Sequence, residues 1–202
     1  MSGGPLIVGI SGPDGAGKTE LSRRLERELG AEAPVIGVYL YGCIACRRFA
    51  RPVQRNAGGG RSHRRALRGL LRLHAFVDAT ELALRLAVAM LRARMRGASV
   101  IVTERSPLDG LVKHGAGSGA FVTGMSARLI GLYDVIVCLD VDEHRLVDRD
   151  QEHSAGELGL MRQEFKRWSA QFPQVVAVCA GDPADAVAAS ALAIVAARRE
   201  RS

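Results

Sequence analysis

Leu6-Ile7-Val8-Gly9-Ile10-Ser11-Gly12-Pro13-Asp14-Gly15-Ala16-Gly17-Lys18-Thr19 is the stretch that decides the fold. Its first five residues form an apolar run that reads as a strand buried on both faces, and the run ends in Ser11-Gly12. Beyond Thr19, Leu21, Leu25 and Leu29 recur with a spacing of four before Gly30, which predicts an amphipathic helix with a glycine stop. Between strand and helix, Gly12 to Thr19 fits G-x-x-x-x-G-K-[ST] without a mismatch. The chemistry needs that spacing because successive backbone N–H groups must wrap a phosphate while the helix N-terminus points at it. Gly12, Pro13, Asp14, Gly15, Ala16, Gly17, Lys18 and Thr19 are therefore the candidate residues for a nucleoside triphosphate. Lys18 would reach the β and γ phosphates, and the Thr19 hydroxyl would ligate Mg²⁺. Side chains at Gly12, Gly15 or Gly17 would obstruct the backbone approach.

Outward from this unit, Val35 to Leu40, Val100 to Thr103, Val135 to Leu139 and Val175 to Cys179 are further strand candidates. Helical periodicity runs from Ala66 to Arg96 through Leu70, Leu73, Val77, Leu84, Val88 and Leu91, up to ~46 Å if Gly69 does not shorten it. Helices are also expected over Met125 to Leu132 and Leu158 to Phe172. Asp182 and Pro183 suit the N-cap and first position of a last, alanine-rich helix that reaches about Arg199. Unbroken apolar strands alternating with helices predict an α/β chain, a five-stranded parallel sheet covered on both faces. At 202 residues it is sized for a single domain spanning 1–202.

Composition narrows the classes. Hydrophobic residues at 48% and charged residues at 24% exclude a disordered or fibrous chain. No apolar run approaches the ~20 residues of a membrane span. No basic-then-apolar leader precedes Leu6, so a soluble, cytoplasmic protein is expected. Four cysteines make no disulfide scaffold: Cys138 and Cys179 read as reduced core residues. Cys43 and Cys46 lack the second pair that a tetrahedral metal site needs. Between Glu32 and Asp78 there is no acidic residue, yet Arg47, Arg48, Arg51, Arg55, Arg61, Arg64, Arg65, Arg68 and Arg72 lie there. The remaining basic residues are outnumbered by the 21 acidic ones, so the net charge of +7 belongs to this segment. With Gly58-Gly59-Gly60 inside it, residues 43–65 read as a mobile basic loop that meets an anion or is simply solvated.

No N-K-x-D guanine motif occurs, which argues against a small GTPase. The third strand ends in Glu104-Arg105-Ser106, placing a carboxylate and a guanidinium at the edge where open α/β sheets bind ligands. Together with Leu139-Asp140-Val141-Asp142 and Arg149, these pieces make the chain resemble the thymidylate kinase family and the related deoxynucleoside kinases, whose strands end in D-R-Y or E-R-S. The resemblance runs, with interruptions, from Leu6 to Ala197. It implies a three-layer P-loop NTPase fold and ATP as phosphoryl donor with Mg²⁺ held by Thr19 and Glu104. An anionic or hydroxylated small-molecule acceptor would sit beneath a lid at about 143–158. Lys18, Glu104, Arg105 and Arg149 would be the catalytic residues: Glu104 would orient the acceptor or take its proton, and Arg105 would clamp an anionic group. Arg145, Arg149 and Arg162 are the candidate lid arginines, and Ala180-Gly181-Asp182 would cradle the nucleotide base. The resemblance also allows for a homodimer.

Three departures move the acceptor away from thymidylate. Asp78 is followed by Ala79 where thymidylate kinases carry A-D-R; Lys113 and His114 stand where they carry Tyr and Gln; and no acidic residue follows the second strand. His114 and His153 read as polar surface or substrate contacts. Tyr39, Tyr41, Phe49 and Phe76 could stack on a base, although aromatics at such places are more often core. The rival reading is a nucleotide-binding switch or nucleic-acid-binding ATPase that uses the arginines on phosphate backbones, which steep salt dependence would reveal. The arginine stretch has no regular aromatic interleaving to support it.

Overall fold

The computed structural model describes residues 4–40, 61–114, 119–142 and 155–201. Its elements, in chain order, are β1 (Leu6–Ser11), α1 (Lys18–Gly30), β2 (Val35–Tyr39), α2 (Arg61–Arg96), β3 (Val100–Glu104), α3 (Pro107–His114), α4 (Ala120–Ile130), β4 (Val135–Asp140), α5 (Ala155–Ser169), β5 (Val175–Cys179) and α6 (Ala184–Arg199). All five strands pair in parallel, in the order β2-β3-β1-β4-β5. β1 is thus central, and the chain crosses from one side of it to the other between β3 and β4. That reversal opens a crevice at the C-terminal edge of the sheet, where the loop after β1 emerges.

Period-two alternation sends the strand side chains to opposite faces. Leu6, Val8, Ile10, Val100, Val102, Val135 and Val137 pack with Leu21 and Leu25 of α1 and with Ala188, Ala191 and Val195 of α6. Ile7, Ile101 and Ile136 pack with Leu86 and Ala89 of α2, Leu108 and Leu111 of α3, Ile130 of α4 and Phe165 of α5. This is the three-layer arrangement expected from the sequence.

Several boundaries differ from the sequence reading, each for a local reason. α2 runs through Gly69, where a side chain would meet open space. The face of α2 that packs is formed by Ala75, Ala79, Leu86, Ala89 and Ala93, whereas Leu73, Leu84, Val88 and Leu91 are exposed. Small side chains let a long helix lie close to the sheet, so the large apolar residues that reveal the period do not mark the buried face. α3 escapes periodicity because it is only eight residues long. α4 begins five residues earlier than expected, after Gly119, whose φ of 81° and ψ of 155° favour glycine. α5 ends at Ser169 and continues as turns, with Gln171 N donating to Trp168 O at 3.0 Å and Phe172 N to Ser169 O at 3.2 Å. Pro183, not Asp182, occupies the N-cap of α6, and no side chain caps that helix. Cys138 is buried and its thiol is pushed up to about 11 by burial, while Cys179, expected in the core, is exposed. Among the described residues no helix is long and apolar enough to cross a membrane.

Candidate active site

The loop after β1 holds its shape through backbone conformations that only some residues adopt. Gly12, Gly15 and Gly17 have φ of 144°, 78° and 89°. At Gly12 a Cβ would also lie 2.9 Å from the Leu139 carbonyl, so this glycine is demanded by packing as well as by conformation. At Gly17, the N-cap of α1, no protein atom crowds a Cβ, and the left-handed backbone is the whole reason for glycine. Lys18, 6% exposed, folds back over the loop: its Nζ donates to Gly12 O at 2.8 Å, Pro13 O at 2.6 Å and Asp14 Oδ1 at 3.2 Å.

Sheet register brings the second motif to this loop. Ile10 of β1 is level with Glu104 of β3, so the end of β3 stands beside the start of α1. Glu104 is 6% exposed and accepts a hydrogen bond from Thr19 Oγ1 at 2.6 Å. The two residues assigned to Mg²⁺ from sequence thus meet across 85 positions of chain. Arg105 turns outward on a left-handed backbone, φ 72°, a conformation costing a side-chain-bearing residue about 1 kcal/mol or more. Its N donates to Ile10 O at 2.9 Å, and its O accepts from Thr103 Oγ1 at 2.9 Å. Its guanidinium reaches Asp14 Oδ1 at 2.6 Å. Burial pushes the Asp14 carboxyl up, but Lys18 and Arg105 together outweigh it and hold the group below its ordinary value.

One member of the constellation has no place in the sequence reading. Asp109, in the first turn of α3, accepts from Ser11 Oγ at 2.6 Å and from Ser106 N at 2.9 Å, and burial pushes its carboxyl up against the pull of Lys18 and Arg105. Ser106-Pro107-Leu108-Asp109 has the form of a capping box, so a search for helix starts would have found it.

The remaining candidates are spread along the same edge or beyond it. Arg162, on α5, is tied to Asp140 at the end of β4 by its Nε at 2.5 Å, with Nη1 on Asp142 at 2.8 Å. Its hydrogen bonds lower the Asp140 carboxyl, and Lys166 adds to them. Gly181 and Asp182 follow β5, with Asp182 exposed. Tyr39 is exposed at the end of β2, and Phe76 pairs with Phe121 at 6.1 Å between ring centroids. His114 Nε2 lies 2.9 Å from Asp78 Oδ2, with the His74 ring edge-on at 5.1 Å. A cavity of about 150 Å³ between β4 and α5 has Pro13, Leu139, Phe165 and Ser169 among its lining residues. Arg145, Arg149, His153, Cys43, Cys46, Tyr41 and Phe49 lie outside the described residues, as do most of the basic segment at 43–65 and of the expected lid at 143–158. Among the described residues no cluster of His, Cys, Asp and Glu is arranged to hold a metal by itself.

No protein-family model matches the chain, and no curated protein sequence does. Solved structures do. The chain is similar to a thymidylate kinase from Ehrlichia chaffeensis at 15% identity and a TM-score of 0.60, over 96% of this chain and 100% of that one. It is equally similar in shape to a deoxyadenosine kinase from M. mycoides solved with bound dCTP, at 11% identity and a TM-score of 0.60, over 95% of this chain and 100% of the other. Five parallel strands in this order, the phosphate loop at the central strand and these likenesses together identify a thymidylate kinase-like and deoxynucleoside kinase-like fold.

Proposed function

We propose that this chain is a phosphotransferase of the nucleoside and nucleotide kinase kind, passing the γ-phosphoryl group of ATP to a nucleotide, nucleoside or related hydroxylated small molecule. The observation that carries the reading is the 2.6 Å contact between Thr19 Oγ1 and Glu104 Oε1 beside Lys18. A hydroxyl and a carboxylate oxygen held side by side are hard donors that suit Mg²⁺. Bound there, the ion would supply charge neutralisation at the phosphates. The protein contributes position and charge. Backbone N–H groups at the start of α1 face the phosphates, and Lys18 can exchange its two loop carbonyls for phosphate oxygens at little cost because it already points into the loop. Arg105 reaches the same place from β3 and balances an anionic oxygen of the acceptor or of the phosphoryl in transfer. In this reading Arg145 and Arg149 would add positive charge at the phosphates, and Gly181 and Asp182 would border the base.

Ala79 and His114 favour an acceptor other than thymidylate. His114, 10% exposed, is bound to Asp78, at a position where the family usually carries Gln. A screen of nucleosides, nucleotides and aminated sugars for Mg²⁺-dependent ATP consumption tests the reading, with Lys18→Ala as control. At least one acceptor should stimulate turnover, and the variant should lose it by at least ~10²-fold while melting cooperatively. Stimulation that survives in Lys18→Ala would overturn the proposal.

A further inference from the structure

Asp109 does more than cap α3. A capping carboxylate needs only the amide of the N-cap residue, here Ser106 N at 2.9 Å from Oδ2. The same oxygen also takes the hydroxyl of Ser11, the last residue of β1 and the one directly ahead of Gly12. Ser11 Oγ in turn stands 2.6 Å from Ser106 Oγ, which accepts from Leu108 N at 3.1 Å. The turn after β3 is therefore tied to the strand that carries the phosphate loop. The other oxygen, Asp109 Oδ1, is buried and accepts no hydrogen bond from a described residue, while Arg105 Nη1 stands 3.9 Å from it. A buried carboxylate oxygen without a donor is costly, and what opposes that cost here is the charge of Lys18 and of the Arg105 guanidinium.

Arg105 is thus flanked by two carboxylates, Asp14 from the phosphate loop and Asp109 from α3. Its backbone is fixed by Ile10 and Thr103, so any shift between the two carboxylates is made by the side chain. We propose that Asp109 is a positioning residue for Arg105: it couples the guanidinium to the strand carrying the phosphate loop, and it supports Arg105 when an anionic substrate oxygen displaces Asp14. Its role in turnover rests on the kinase reading; the coupling itself rests on the geometry. With Asp109 neutral, Arg105 stays on Asp14 and meets the substrate poorly.

Asp109→Asn separates this role from capping, because the amide keeps an oxygen for Ser106 and Ser11 and removes only the charge. Wild type, Asp109→Asn, Arg105→Ala and the double variant are compared in two ways. The first is phosphoryl transfer to whichever acceptor the screen returns. Asp109→Asn should lower kcat/KM roughly tenfold, mostly through the acceptor's KM, with MgATP affinity nearly unchanged, and should cost almost nothing in the Arg105→Ala background. Equal losses in both backgrounds, or no loss, would overturn the proposal. The second is ¹⁵N-edited NMR of the Arg105 Nε–Hε signal, free and with inorganic triphosphate, which needs no activity. The signal should move in Asp109→Asn, and an unmoved signal overturns the coupling. Absence of transfer by the wild type would count against the kinase reading alone, with the NMR comparison still deciding this one. Should Asp109→Asn fail to fold, Asp109→Ser is read by the same two criteria.

Discussion

Glu104 shows how much one side chain owes to its neighbours. It ends a fully buried strand, where an unpaired carboxylate would be expensive, and it is kept there by the Thr19 hydroxyl. Glu104→Gln keeps an oxygen for that hydroxyl and removes the charge. Turnover should fall by ~10²-fold with the thermal midpoint almost unchanged, since the charge serves the metal and acceptor side rather than the fold. Steady-state kinetics alongside a thermal melt checks this, and a variant within about twofold of wild type would reduce Glu104 to a structural partner of Thr19.

At the scale of elements, α2 makes a prediction that its composition conceals. Ala89, 2% exposed, faces the sheet, and Leu91, 58% exposed, faces away. Enlarging the small residue should therefore matter more than losing the large one. Ala89→Leu should cost about 1–3 kcal/mol by overpacking, and Leu91→Gln should stay within about 0.5 kcal/mol. Urea unfolding of the two variants tests the assignment of faces, which is wrong if their order reverses. The junction of β4 and α5 sets a pH dependence. Asp14 and Asp140 both have carboxyls held below their ordinary value of 3.8, so the stability they contribute is present above that value. It is lost as pH falls through their lower folded values. Urea midpoints should consequently drop below about pH 4, and Asp140→Asn should flatten part of that drop, because it removes one of the two groups that must be discharged. An unchanged acid profile in Asp140→Asn would show the Arg162 contact to be energetically idle.

For the molecule as a whole, the sheet separates two cores that share its strands and α5, which gives Leu158 to one and Phe165 to the other. Leu25 of α1 lies wholly in one and Ile101 of β3 wholly in the other, each 0% exposed. Leu25→Ala should cost about 2–5 kcal/mol and Ile101→Val about 0.5–1.5 kcal/mol. Because the two side chains belong to different clusters, the double variant should lose their sum to within about 0.5 kcal/mol. Chemical denaturation of the single and double variants measures this, and a clearly non-additive result would mean that the two layers relax together.

The phosphate loop, the five strands and the fold class were legible in the sequence because each depends on residues close together in the chain. Eight consecutive residues from Gly12 to Thr19 are enough to shape a phosphate cradle, and short unbroken apolar runs are enough to mark buried parallel strands. Glu104 and Arg105 could be picked out by type and by their place at a strand end. That Glu104 meets Thr19, and that Arg105 leans on Asp14, was decided only by the register of β3 against β1. The tertiary structure alone also chose which face of α2 is buried, because close approach to the sheet favours alanines over the leucines that dominate the pattern. It alone gave Asp109 its place: Ser11 and Asp109 lie 98 residues apart, and no local preference encodes a bond that forms only when β1, β3 and α3 are packed together.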